Sequence, residues 1–359
     1  MAFGTGTRIL QPGAPYNSDN RVYLRERGND RTRLVSSDSA GRPATGDYGG
    51  LISGDGRYVA LAGQFSSLTP PGTVSSRWLL RKDLRTGRVE THRIPQASGP
   101  ATGLPLSGFD LMAFSADGRL SAGEVWYVSA DYSHWAVRIA VFDWVSHRWA
   151  MLGSFGAVRL LQAMSADGRY LAYTATNIPG HERELYLLDR ATGVTRHVGR
   201  GPAGPAARHY HTQLSGDGRV MVTTWNRNPE TYDMNVVVRR TSDLAVVNSL
   251  HGNHVTGADA VSYTGRWVLL SVLRPDGSGN VDVYRWDRTT GQRVLVSITR
   301  AGRPPSGDSF GVAITEDGAT AIFTSHAGDI VPGDIPDDGE ITDNVDVFAV
   351  TTPEAHRCR

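Results

Sequence analysis

This sequence predicts an all-β fold, a six-bladed β-propeller of four-stranded antiparallel blades, and three observations predict it. A Ser-x-Asp-Gly-Arg segment recurs along the chain, short β-rich runs follow each copy, and no stretch between copies carries a helical apolar period. Glycine supplies 41 of 359 residues, about 11% against a usual ~7%, as a chain built on many tight turns requires.

The segment is intact at Ser53 to Arg57, Ser115 to Arg119, Ser165 to Arg169 and Ser215 to Arg219. Two worn copies follow, Ser262-Tyr263-Thr264-Gly265-Arg266 and Thr315-Glu316-Asp317-Gly318-Ala319. Their glycines stand 62, 50, 50, 47 and 53 residues apart, so six copies span the chain. Asp-Gly is the preferred pair of a type I′ hairpin, in which both central residues need positive φ, and each copy should therefore join a first strand to a second. Second strands follow at Arg57 to Leu61, Arg169 to Tyr173 and Arg219 to Thr223. Third strands appear after a variable loop, at Trp78 to Arg81, Ile139 to Phe142, Leu185 to Leu188, Val236 to Arg239 and Val281 to Tyr284. A Thr-Gly turn then opens a fourth, at Thr86-Gly87, Thr192-Gly193 and Thr290-Gly291.

Four short strands per ~50-residue repeat suit a propeller blade. A sandwich or solenoid could use the same strands, but no polar capping repeat marks an open stack. Third-strand patterns occur at both ends, Arg21 to Leu24 and Asn344 to Val350. Residues 20–36 are therefore expected to complete the last blade and close one domain over 1–359, leaving no open edge. These end patterns make one third strand more than six blades need, so a seventh, incomplete blade is the alternative.

Ser-x-Asp-Gly-Arg before an apolar strand, then a strand ending in Asp-x-x-Thr-Gly, resembles the TolB-like β-propeller repeats, related to the WD40-like group. The resemblance covers nearly the whole chain. It implies the fold and leaves function open, because such repeats serve binding modules, peptidase gates and polysaccharide lyases alike. No counterpart of TolB's N-terminal domain and no α/β-hydrolase segment is present. Neither a TolB-like envelope role nor prolyl-oligopeptidase-type chemistry is expected.

Charge narrows the functions further. With 37 basic and 36 acidic side chains the formal net charge is +1, which argues against nucleic acid or an anionic membrane as partner. No run approaches the ~18 apolar residues of a membrane-spanning helix, so no membrane insertion is expected. The first residues lack the basic and apolar regions of a signal peptide. The compartment stays open: secreted or cell-envelope if a signal was removed, otherwise cytoplasmic. Cys358 is the only cysteine, which excludes an intrachain disulfide. Lys82 is the only lysine, and the excess of arginine reads as coding bias. A bacterial monomer is expected.

Loops of variable length on a rigid scaffold are where recognition sits. Here they are Leu68 to Ser76, Ala130 to Trp135, Asn177 to Glu184, Trp225 to Tyr232 and His326 to Asp343. The face they share is the expected binding face, for a small molecule, a glycan, or a protein or peptide. Where first strands enter the central channel, the chain offers Asp47-Tyr48, Phe109-Asp110, Arg159, His209-Tyr210-His211, Asp259 and Asp308-Ser309. Converging polar groups of this kind suit a small polar ligand or a cation; solvated channel residues are the plainer alternative.

Regular strand alternation would put His209 and His211 on one side and Tyr210 on the other. Two such histidines could ligate zinc or manganese, or work as acid and base, with His254 on the next blade. The aspartates Asp334, Asp337 and Asp338 form a hard-oxygen cluster suited in type to calcium, at a spacing unlike an EF-hand. Gly307-Asp308-Ser309-Phe310-Gly311 matches a nucleophile elbow but precedes a strand where that motif needs a helix. Trp225 and Tyr232, like Tyr132 and Trp135, are expected first to pack in the core or rim, and a stacking surface for a sugar or planar ligand is the alternative. The primary expectation is a ligand- or protein-binding propeller through Asp47, Tyr48, Asp110, Arg159, His209, His211, Trp225, His254, Asp259 and Asp308. The alternative is an enzyme (polysaccharide lyase, hydrolase or cyclase) at the channel mouth, using His209, Tyr210, His211, Arg159 and His254. No cofactor is certain in either case; a divalent metal (Ca, Zn or Mn) is the one candidate.

Overall fold

A computed structural model of the chain describes residues 2–5, 21–26, 28, 31–38, 50–63, 68, 78–95, 106–129, 131, 135–152, 158–176, 184–199, 208–226, 234–251, 254–331 and 346–351. Among them there is no helix, and antiparallel ladders join the strands into a β-propeller fold.

The recurring segment is a turn whose side chains close it. Ser53 Oγ accepts the Tyr58 N–H at 2.9 Å and donates to Asp55 Oδ1 at 2.5 Å, and Asp55 Oδ1 also accepts the Arg57 N–H at 3.0 Å. The type I′ expectation is corrected here. Gly56 N–H donates to Ser53 O at 2.9 Å and Gly56 alone takes positive φ, 69°, so a four-residue turn ends in one left-handed glycine. Serine and aspartate are thus needed for hydrogen bonds, and glycine for φ. The arginine that follows reaches the aspartate ending its blade's third strand, in Arg57–Asp83, Arg119–Asp143, Arg169–Asp189 and Arg266–Asp287, at 2.7 to 3.0 Å. Asp83 Oδ1 in turn accepts the Arg85 and Thr86 N–H groups, which shapes the Thr-Gly turn.

Contacts divide the chain into two compact units, Met1–Met164 with Tyr173–His181, and Ser165–Ala172 with Glu182–Arg359. The first holds β1 (Ala2–Thr5), β2 (Arg21–Glu26) and β3 (Arg31–Leu34) in one three-stranded sheet. It also holds two four-stranded sheets, β4 (Gly50–Ile52) to β7 (Val89–Arg93) and β8 (Leu106–Phe114) to β11 (Arg148–Leu152). Within these, β5 is Tyr58–Gly63, β6 Trp78–Asp83, β9 Leu120–Val128 and β10 Trp135–Asp143. The first unit also contains β12 (Val158–Met164) and the larger part of β13 (Tyr170–Thr176), while β14 (Glu184–Asp189) and β15 (Val194–Gly199) belong to the second.

The second unit holds β16 (Arg208–Leu214), β17 (Val220–Asn226), β18 (Met234–Arg240) and β19 (Val246–His251) in one sheet. The next contains β20 (Val255–Val261), β21 (Trp267–Leu273), β22 (Val281–Asp287) and β23 (Arg293–Leu295). The last described sheet orders β24 (Ser309–Ile314), β25 (Thr320–Ser325) and β26 (Asp346–Thr351). Each of the six repeat turns joins the first two strands of one sheet, so the six blades the repeat predicts are all present.

The expected completion of the last blade by residues 20–36 is corrected. Among the described residues, β2 pairs with β1 and β3, and these make a separate sheet without a repeat turn. Burial explains the choice, because Val22 and Leu24 pack with Val59, Leu61 and Leu80 of the first repeat blade. Similar apolar wedges bring Ala62 and Leu79 against the blade of β8 to β11, and the blade of β16 to β19 against that of β20 to β23. Phe109, Val125, Tyr127, Phe142 and Trp144 share one cluster, and Val222, Val236, Leu270 and Trp286 another.

Candidate functional site

First strands in the second unit are bulged. Pairing of β16 with β17 runs His209↔Trp225 and then His211↔Thr224, which leaves Tyr210 as an extra residue. β20 shifts between Ala258 and Ala260, and β24 between Gly311 and Ala313. A bulge withdraws a backbone N–H from its ladder, and a side chain of the preceding blade takes it up. Thr224 Oγ1 accepts the Ala258 N–H at 3.1 Å, and Asp259 Oδ2 accepts the Gly311 N–H at 3.0 Å. In the first unit Glu124 accepts the Leu161 N–H at 2.8 Å.

The bulges frame a cavity of about 320 Å³ in the second unit. Tyr210 and Phe310 line it with Met234, Leu273 and Val281, and its polar groups are His211, Asp259, Ser271 and Thr256. Asp259 accepts the Ser271 hydroxyl as well as the Gly311 N–H. Burial pushes its carboxyl above the usual range, against the opposing effect of those hydrogen bonds and of His211. Gln213 donates to Asp259 O at 2.9 Å and lies 3.4 Å from His211 Nε2, fixing β16 against β20. The site is thus an apolar chamber with one imidazole and one buried carboxyl. It can hold a small molecule that carries a hydrogen-bonding group.

The structure brings His211, Asp259 and Tyr210 to this cavity. The bulge overturns the expected alternation, because Tyr210 and His211 line the same chamber while His209 turns to the core. His209 meets the Trp225 ring edge-on at 5.3 Å between centres and lies 2.6 Å from Thr212 Oγ1. Burial, with His211 nearby, pushes its imidazole down to about 4, so it is neutral at physiological pH. The candidate ligand-binding place of Trp225 is corrected too, in favour of core packing. Trp225 lies inside β17, 1% exposed, and donates to Thr223 Oγ1 at 2.9 Å.

His254 is exposed beside the start of β20 at φ 62°, outside the cavity lining. Asp308 accepts the Val281 N–H at 2.8 Å, and Ser309 is fully buried against Ser325 at 2.9 Å on a strand, which leaves no nucleophile elbow. Asp110 and Arg159 belong to the first unit, where Asp110 is exposed on β8 and Arg159 contacts the Tyr173 hydroxyl at 3.4 Å. Asp47, Tyr48, Tyr232, Asp334, Asp337 and Asp338 lie outside the described residues, as do most long loops.

Sequence reading missed Ser271, Thr256 and the apolar lining. One signal was available for Ser271: six residues beyond the repeat glycines stand Ala62, Glu124, Thr174, Thr224, Ser271 and Thr324. Five of these six positions are polar inside otherwise apolar strands, and at Glu124, Thr224 and Ser271 the side chain accepts an N–H of the next first strand or holds the carboxyl that does.

No family model matches the chain, and no curated protein matches it in sequence. Solved structures match in fold. An oligogalacturonate lyase in complex with manganese superposes with TM-score 0.62 at 14% identity, covering 93% of this chain and 83% of that one. The oligogalacturonate lyase of Vibrio parahaemolyticus gives 0.61 at 11% identity, covering 94% and 85%. A TolB structure from Agrobacterium tumefaciens gives 0.47 at 17% identity, covering 77% and 88%. The class defined is therefore the β-propeller, and the likeness to the lyases is one of fold. Manganese does not fit the groups described here. Among the described residues no three His, Cys, Asp or Glu side chains converge, and Asp259 is already taken up by Ser271 and Gly311.

Proposed function

We propose that this propeller is a binding protein for a small, largely apolar molecule with one hydrogen-bonding group, held in the chamber of the second unit. The observation that carries this is the approach of His211 and Asp259 in an otherwise apolar cavity of about 320 Å³, near the lower end of ligand-pocket volumes, ~300–1,000 Å³. Tyr210 and Phe310 supply flat faces for a ring, His211 a donor or acceptor, and Asp259 a carboxyl that burial inclines toward its neutral form.

Elimination on a uronate, with His211 or Tyr210 removing a proton, is the second reading, supported by the likeness in fold to oligogalacturonate lyases. Among the described residues the lining contains no arginine or lysine to neutralise a sugar carboxylate, which favours the binding reading. Thermal shift with p-cresol and with digalacturonate separates the two. Stabilisation by p-cresol that disappears in Leu273→Trp, a cavity-filling variant, supports binding in this chamber. A shift with digalacturonate and an unsaturated product absorbing in the ultraviolet transfers the case to the lyase reading. No response to either compound overturns both.

A further inference from the structure

A second cluster lies in the first unit. His147 Nδ1 stands 3.1 Å from His92 Nε2, with ring centres 4.9 Å apart and planes inclined by 31°. His92 is on β7 and His147 in the turn between β10 and β11, so the pair joins the outer strands of two different blades.

His147 occupies a position where sister blades carry glycine. The equivalent residues of three other outer turns are Gly87, Gly193 and Gly291, at φ 75°, 72° and 78°. His147 holds φ 54° there, a conformation costing a side-chain-bearing residue roughly 1–2 kcal/mol. Leu244 takes the same place in the blade of β16 to β19, at φ 61°.

We propose that His92 and His147 form a two-histidine site for a divalent transition-metal ion, Cu²⁺ foremost, bridging two blades. Two imidazole nitrogens ~2.05 Å from one cation, with ~98° between the bonds, stand ~3.1 Å apart. Their ring centres, each ~1.15 Å further back, then stand ~4.8 Å apart. The observed 3.1 and 4.9 Å satisfy both distances. A head-on N–H···N hydrogen bond of the same length would separate the centres by ~5.4 Å, so the two rings meet at an angle and not head-on.

The surroundings fit. The His92 ring is steadied by Phe142 at 4.5 Å and Trp144 at 5.4 Å, while His147 is exposed, which leaves an approach from solvent. Glu90, on the same strand, is engaged by Arg81 at 2.6 Å and Arg88 at 3.6 Å, so water must complete the coordination. Two imidazoles with open positions bind Cu²⁺ most tightly among the divalent first-row ions.

The test is titration of the full chain with Cu²⁺, followed by calorimetry and electron paramagnetic resonance, beside His147→Gly and His92→Gln. His147→Gly installs the residue the sister turns use, so its fold is kept, and its metal-free melting temperature verifies that. The wild type should bind one more Cu²⁺ per chain than either variant, with two nitrogen couplings in its spectrum and a metal-dependent rise in melting temperature. Equal stoichiometry and equal thermal response in wild type and His147→Gly would overturn the site.

Discussion

The Asp259 carboxylate on β20 accepts the backbone N–H of Gly311 on β24 at 3.0 Å. That contact crosses from one blade to the next and fills the gap left by the β24 bulge. Ser271 donates to the same oxygen, so one buried carboxyl serves both the inter-blade join and the cavity wall.

Asp259 should make stability depend on pH in a definite direction. Burial raises its folded-state pKa, so its contribution is fully present below the unfolded value, ~3.9. It is lost as pH rises through the folded value. Asp259→Asn keeps an oxygen for Gly311 and Ser271 but cannot ionise. As pH rises from ~4, the variant's melting temperature should gain on that of the wild type and then hold a constant lead. A difference that does not change with pH would refute this account of Asp259.

Two glycines with the same φ should respond differently to alanine. Gly56 and Gly118 both hold φ 69° in repeat turns. A Cβ on Gly56 meets nothing within 4 Å, whereas on Gly118 it would lie 2.5 Å from Tyr58 Cδ2. Gly56→Ala should cost only the left-handed strain, roughly 1–2 kcal/mol. Gly118→Ala should lose a further ~1–3 kcal/mol through the clash. Denaturant unfolding measures both, and equal losses would mean that the Tyr58 ring moves freely.

Lys82 should prove structural although it is the chain's only lysine. Its ammonium donates to Val35 O at 2.9 Å, Ser37 O at 2.7 Å and Ser37 Oγ at 3.0 Å, tying β6 to the segment after β3. Methionine fits the same volume but leaves those oxygens without their donor. Lys82→Met should therefore lower unfolding free energy by about 2 kcal/mol or more. An unfolding midpoint unchanged in Lys82→Met would show that the bonds give no net stability.

The repeat turns were legible in the sequence because their chemistry is local. Ser53, Asp55 and Tyr58 complete their hydrogen bonds within five residues, and Arg57 finds Asp83 within the same blade. His211 and Asp259 were legible as candidates because each precedes a repeat turn by a few residues. Their meeting in one chamber with Met234, Leu273 and Phe310 was decided by tertiary structure, since those residues come from five different strands. The bulge at Tyr210 was decided there as well. A single unpaired residue reverses which neighbours share a side, and it depends on the partner strand, which no local alternation records. The N-terminal strands followed the same logic. Their pattern identified them as strands, but their sheet was set by which apolar surface Val22 and Leu24 could bury, a matter of distant residues meeting in space.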